Sequence, residues 1–366
     1  MNLKQPIAGI VATIIIIAIA LGFVSFFDFP TFAGPVAYFL LCLIPMQIIV
    51  AVVWGTNHPD FVARRRQPLN GLLFTLITLA AGVVIAPVYR AVAGAGINPP
   101  TPMLMHCTIV SVVITFWGAI MWGAFPFKPL IKNTVAAGLA LLVACYAVNY
   151  LLFRIFYNYD FMQGAPVYVP ALDPHGMFNA LSALVFYVTA LAGMFLMLHF
   201  DLWPLTKSAS VMRQPVLGIV WTVIALLLGG AAYYLGVNVL GTDVMAFLVR
   251  VPVPFIFGTI IVLNMLQNSL FAKQAQPVKG ILNVLAVIVI GQALSRLYGA
   301  LAPVVTGNVQ PGPPTYDFEI WLASALLSVT FPLLIFYAEL FKFWPLQARA
   351  TQQEARAGAQ GSRLKA

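Results

Sequence analysis

Runs of roughly 20 apolar residues, separated by short polar or proline-containing stretches, recur along the chain. A bilayer core about 30 Å thick needs about 20 residues of helix, and helices are the natural way to satisfy backbone polar groups in lipid. The pattern predicts spans near residues 7–27, 34–54, 69–93, 104–125, 133–156, 177–200, 215–237, 246–270, 278–300 and 318–343. The expected fold is all-α: a polytopic transmembrane bundle of about ten helices.

A second pattern lies at one end of the odd-numbered helices. Gln-Pro-x-x-Gly appears as Gln5-Pro6-Ile7-Ala8-Gly9, Gln67-Pro68-Leu69-Asn70-Gly71, Gln214-Pro215-Val216-Leu217-Gly218 and Gln276-Pro277-Val278-Lys279-Gly280. The third copy decays to Asn133-Thr134-Val135-Ala136-Ala137. Proline suits the first helical position, where no amide bond is lost, and a glycine one turn on allows close helix packing. Even-numbered helices close on the same side with Trp54-Gly55, Trp122-Gly123, Trp203-Pro204 and Trp344-Pro345, the fourth hairpin lacking this element. Tryptophan fits the interfacial belt, and proline stops the helix.

The chain therefore divides into hairpins of about 1–62, 63–128, 129–208, 209–272 and 273–347, with a polar, basic tail at 348–366 expected to be a disordered cytoplasmic end. Five same-sense hairpins suit a ring, whereas an inverted-repeat transporter needs two halves of opposite topology. The odd helices are richer in small residues and carry Thr13, Thr75, Thr78, Asn149, Thr222, Asn283, Gln292 and Ser295. They are the expected inner layer, with the even helices facing lipid.

In hairpin number, topology and length, the whole chain resembles the SLAC/TehA family of anion channels and tellurite-resistance or dicarboxylate transporters, whose five hairpins surround a central pore. That resemblance implies inner helices with mid-helix prolines and a gating phenylalanine. In the odd helices as delimited above, Pro87 is the only internal proline.

Composition agrees with lipid as the solvent, with 61% hydrophobic and 8% charged residues. The formal charge of +9 would suggest nucleic acid in a soluble protein, but topology accounts for it here. All of the 19 Lys and Arg except Arg90, Arg154, Arg250 and Arg296 fall on one side of a ten-helix count. The positive-inside rule makes that side, with both termini, cytoplasmic in a bacterial-type inner membrane. The first segment lacks an obvious cleavage site and reads as a retained helix. Cys42, Cys107 and Cys145 have no CxxC spacing and imply neither a disulfide framework nor a zinc site.

Charge near the membrane interior marks candidate function. Arg90, Arg154 and Arg296 fall 22, 20 and 19 residues after Pro68, Thr134 and Pro277, at similar outer depth. On odd helices lining a pathway they would form an anion-attracting collar, with Arg250 a further member and Asn149, Asn283 and Gln292 as polar lining. Snorkelling to headgroups, or pairing with Asp160, Asp173, Asp243 or Asp317, is the alternative.

Asp173-Pro174-His175-Gly176 with His106 and Cys107 matches no known metal spacing, and His106 and His199 lie on opposite sides, so no metal or other cofactor is expected. Nucleotide-binding and hydrolase motifs are absent, which argues against an enzyme. The repeat prolines and glycines (Pro6, Gly9, Pro68, Gly71, Pro215, Gly218, Pro277, Gly280) read as structural. The expected function is a channel or carrier for a small anionic solute. The alternative is a non-catalytic subunit that scaffolds a membrane complex through its aromatic outer loops or binds lipid or quinone. The expected partners are lipid and a small anion or other membrane subunits, not nucleic acid.

Overall fold

A computed structural model describes residues 3–347; the expected tail at 348–366 lies outside the described residues. Among the described residues ten helices are long and apolar enough to cross a membrane: α1 (Ile7–Val24), α2 (Phe29–Val53), α3 (Leu69–Ala93), α4 (Pro102–Met121), α5 (Thr134–Phe156), α6 (Ala180–His199), α7 (Val216–Val239), α8 (Val244–Met265), α9 (Val278–Val305) and α10 (Asp317–Leu340). The face bearing the basic loops is called inner below. A two-stranded parallel pair, β1 (Tyr157–Asn158) and β2 (Phe178–Asn179), closes the long outer segment between α5 and α6.

The even helices form a closed ring, in which α2 packs on α4, α4 on α6, α6 on α8, α8 on α10, and α10 back on α2. Each odd helix lies outside, in the groove between two even ones: α3 on α2 and α10, α5 on α4 and α2, α7 on α6 and α4, α9 on α8 and α6, α1 on α10 and α8. This reverses the expected layering. Between 56% and 72% of the most apolar stretch is buried in each even helix, against 22–44% in the odd ones. Small residues on the odd helices serve the packing face, while Ile14, Val84, Leu227 and Val289 on their other faces are exposed.

The Gln-Pro-x-x-Gly motif builds that groove contact. Each proline stands at the N-cap, one residue before the helix begins, instead of at the first helical position. Its carbonyl accepts the amide four residues on, from Ile10, Leu72, Ile219 or Ile281. The glutamine's Oε1 accepts the glycine N–H at 3.3, 3.1, 3.1 and 3.0 Å in chain order. Its Nε2 donates across to the last carbonyls of an even helix: Gln67 to Leu340 at 2.6 Å, Gln214 to Met121 at 2.8 Å and Gln276 to His199 at 3.0 Å. One amide thereby supplies partners at the start of one helix and the end of another, where lipid offers none.

The glycine is needed because the helices touch there. A Cβ at Gly9 would sit 2.1 Å from the Met265 carbonyl oxygen, at Gly71 2.8 Å from Phe341, at Gly218 2.7 Å from Trp122 and at Gly280 2.4 Å from Phe200. In the third copy the contact glycine falls one position later than the pattern indicated: Gly138 packs on Trp54, and Asn133 caps the Ala136 N–H.

The even helices end alike on the inner face, in pairs of left-handed residues: Gly55-Thr56, Gly123-Ala124, Asp201-Leu202, Gln267-Asn268 and Lys342-Phe343. The fourth hairpin thus has the same stop without the tryptophan. Reversal lets the Thr56, Ala124, Asn268 and Phe343 amides reach back six residues to otherwise orphaned helix carbonyls.

Removing the shared amide is expected to cost unequal amounts. Gln276→Leu deletes two helix-end bonds and a contact to Asp201, and should lower stability by about 2 kcal/mol. Gln5→Leu should cost about half as much, because the buried Gln5 Nε2 has no partner among the described residues. Thermal unfolding of the two purified variants checks the order.

Candidate functional site

The ring axis is filled by aromatic side chains. Phe116 of α4 meets Phe195 of α6 edge-on at 5.4 Å between ring centroids and Phe331 of α10 at 5.9 Å. Helices α4 and α10 are not neighbours in the ring, so the Phe116–Phe331 contact spans its centre. All three rings are buried. Beside them, the buried Gln47 of α2 donates to the Pro332 carbonyl of α10 at 2.8 Å. Mid-helix prolines also stand on this inner layer, at Pro35 and Pro45 of α2, Pro254 of α8 and Pro332 of α10. On the outer layer α9 extends far enough to include Pro303, so Pro87 is not the only internal proline there.

Toward the inner face the ring helices are tied by polar contacts. His199 of α6 bonds Thr259 of α8 at 3.0 Å, and Asn264 of α8 donates to Glu339 of α10 at 3.0 Å. Glu339 also pairs with Lys342 at 3.4 Å. Two inner-face grooves of about 430 and 470 Å³ share Lys128, at the ends of α2 and α4 and away from the axis.

The sequence-predicted pathway residues do not converge on the axis. Arg90, Arg154 and Arg296 stand on the outer-layer helices α3, α5 and α9, so no collar surrounds the ring centre. Arg154, Arg250 and Arg296 are exposed and Arg90 is half-buried. Among the described residues none of the four arginines forms an ion pair with a carboxylate, so the alternative pairing with outer aspartates is not found. Asn149, Asn283 and Gln292 tie helices together. The buried Asn149 donates to the Cys107 carbonyl of α4 and to Tyr89 of α3, Asn283 to Asn268 after α8, and Gln292 to the Arg250 carbonyl. Thr13, Thr75 and Thr78 bond carbonyls of their own helices, and Thr222 accepts from Trp117 of α4 and from Trp122 just after it.

A second polar cluster lies under the outer segment 157–179, where β1 and β2 hold the neck. Tyr159 bonds His106 Nδ1 of α4, and Asp173 accepts from the Tyr159 N–H at 3.1 Å and the Tyr168 hydroxyl at 2.9 Å. Burial pushes the Tyr159 phenol well above its ordinary range, which keeps the hydroxyl protonated and able to donate. His106, Cys107 and His175 do not form one site: Cys107 faces Tyr89 and Asn149, while His175 sits beside Asp173. The buried His106 Nε2 and the Tyr157 hydroxyl have no partner among the described residues.

No protein-family profile, curated protein or solved structure matches the chain. Its ten apolar helices make it a multi-pass integral membrane protein in contact with lipid.

Proposed function

We propose that the chain is a channel or carrier for a small solute, whose pathway is the axis of the even-helix ring, closed at Phe116, Phe195 and Phe331. The observation that carries this reading is the closed ring: five helices meet around one axis, and an aromatic layer spans it. The recurrent groove contacts and helix ends support five copies of one hairpin. The prolines and phenylalanines of the inner layer are the features that a SLAC/TehA-like architecture implies. In this reading the basic loops and both termini are cytoplasmic in a bacterial-type inner membrane.

The solute is proposed to be anionic, and the arginines act at the outer mouth instead of lining the path. Guanidiniums without carboxylate partners raise the local anion concentration, an effect that salt screens within about 10 Å at 0.1 M. Anion flux into proteoliposomes tests both parts. The triple change Arg90→Gln, Arg154→Gln, Arg296→Gln is expected to lower flux by about threefold at low salt and to leave it near wild type at high salt. Equal flux at both salts would remove the arginines from function, and no wild-type flux for any small anion would remove the anionic solute.

The filled axis itself favours a second reading, an integral subunit that scaffolds a larger complex. It predicts other chains co-purifying at fixed stoichiometry in mild detergent.

A further inference from the structure

The outer segment between α5 and α6 brings Asp160, Asp173 and His175 together, with one ligating atom of each within 4.8 Å of the others. The Asp173 side chain is fully buried, yet among the described residues no lysine or arginine pairs with it or with Asp160. The His175 imidazole stands by, with Nδ1 3.8 Å from Asp173 Oδ2. Hydrogen bonds from the Tyr159 and His175 amides and the Tyr168 hydroxyl satisfy the Asp173 oxygens. They do not remove the repulsion from the neighbouring Asp160 carboxylate. Buried carboxylates are ordinarily paired with a cation or bound to a metal. Four arginines stand on this same outer face and none is used for the purpose.

We propose that Asp160, Asp173 and His175 bind a divalent transition cation, with water completing its shell. Two carboxylate oxygens and one imidazole nitrogen form a mixed donor set that suits Zn²⁺ better than Ca²⁺ or Mg²⁺, which take oxygen ligands. The ligands lie at the two ends of the segment, so a bound cation clips it shut above the β1–β2 neck. The consequence reaches the ring. Tyr159, between ligand Asp160 and its bond to Asp173, holds His106 of α4 with its hydroxyl. Occupancy therefore fixes the cap against an inner-ring helix. The site is independent of whether the axis conducts.

The test is Zn²⁺ titration of the full, chelator-treated protein in detergent by calorimetry, with Co²⁺ absorption reporting the donor set. Wild type is expected to bind one equivalent, and Asp160→Asn and His175→Gln each to weaken binding at least about tenfold. Both residues are exposed, so the metal-free variants should melt near wild type, separating lost ligation from lost fold. Absence of saturable binding below about 1 mM overturns the proposal. A variant that keeps wild-type affinity overturns the three-ligand assignment.

Discussion

Gly291→Ala is expected to lower stability by about 3 kcal/mol, and Gly291→Leu to prevent α9 from seating on α8. An added Cβ at Gly291 would lie 2.0 Å from the Pro254 carbonyl oxygen and 2.7 Å from its carbon. The partner contact is reciprocal: a Cβ at Gly258 would lie 2.2 Å from the Val287 carbonyl oxygen. In both cases the obstacle is main chain within a helix, which cannot turn away as a side chain can. Pro254 stiffens that stretch further. Two glycines on facing helices, each set against the carbonyl four residues before the other, thus bring the backbones together in lipid, where apolar area alone does not drive helices to associate. Gly22→Ala is the control, since nothing lies within 4 Å of that Cβ. It should be neutral or gain up to about 1 kcal/mol from helix propensity. Equal melting temperatures for Gly291→Ala and Gly22→Ala would disprove the close α8–α9 contact.

The ten helices were legible because span length in a bilayer is a coarse and insistent signal: each expected segment overlaps an observed helix. The layering was not legible, for a physical reason. In water an amphipathic helix shows which face is buried, but in lipid the exterior is as apolar as the core. Ile14 and Val84 against lipid therefore look like Ile44 and Val110 inside. Small and weakly polar residues on the odd helices suggested a pore lining, yet Gly82 packs on Leu43, Gly218 on Trp122, and Thr222 accepts from two tryptophans. A finer signal was available. Threonine follows the motif glycine by four residues at Thr13, Thr75 and Thr222, marking one stripe that faces an even helix. The cluster of Asp160, Asp173 and His175 was half visible, since Asp173 and His175 share a turn. Asp160 joins only because β1 and β2 pair across a long segment. The Phe116–Phe331 contact joins helices three hairpins apart and had no local signature.

Phe116→Ala combined with Phe331→Ala is expected to open the axis. These rings and Phe195 form the layer that crosses the ring, and truncating two of them removes the span between α4 and α10 while leaving the helix ends intact. If the layer is a gate, solute flux should rise at least about tenfold, which corresponds to lowering the barrier by about 1.4 kcal/mol. The same truncation in an ordinary packed core would leave a cavity costing about 3–5 kcal/mol for each ring, with no gain in permeability. The two readings therefore diverge in what the variant does, not merely in how much it suffers. Phe116→Leu with Phe331→Leu separates them further: it keeps most of the volume, should hold stability within a few kcal/mol of wild type, and should leak only slightly. A double-alanine protein that reconstitutes folded, unstable and impermeable would make the axis a structural core. The scaffold reading would then stand in place of transport.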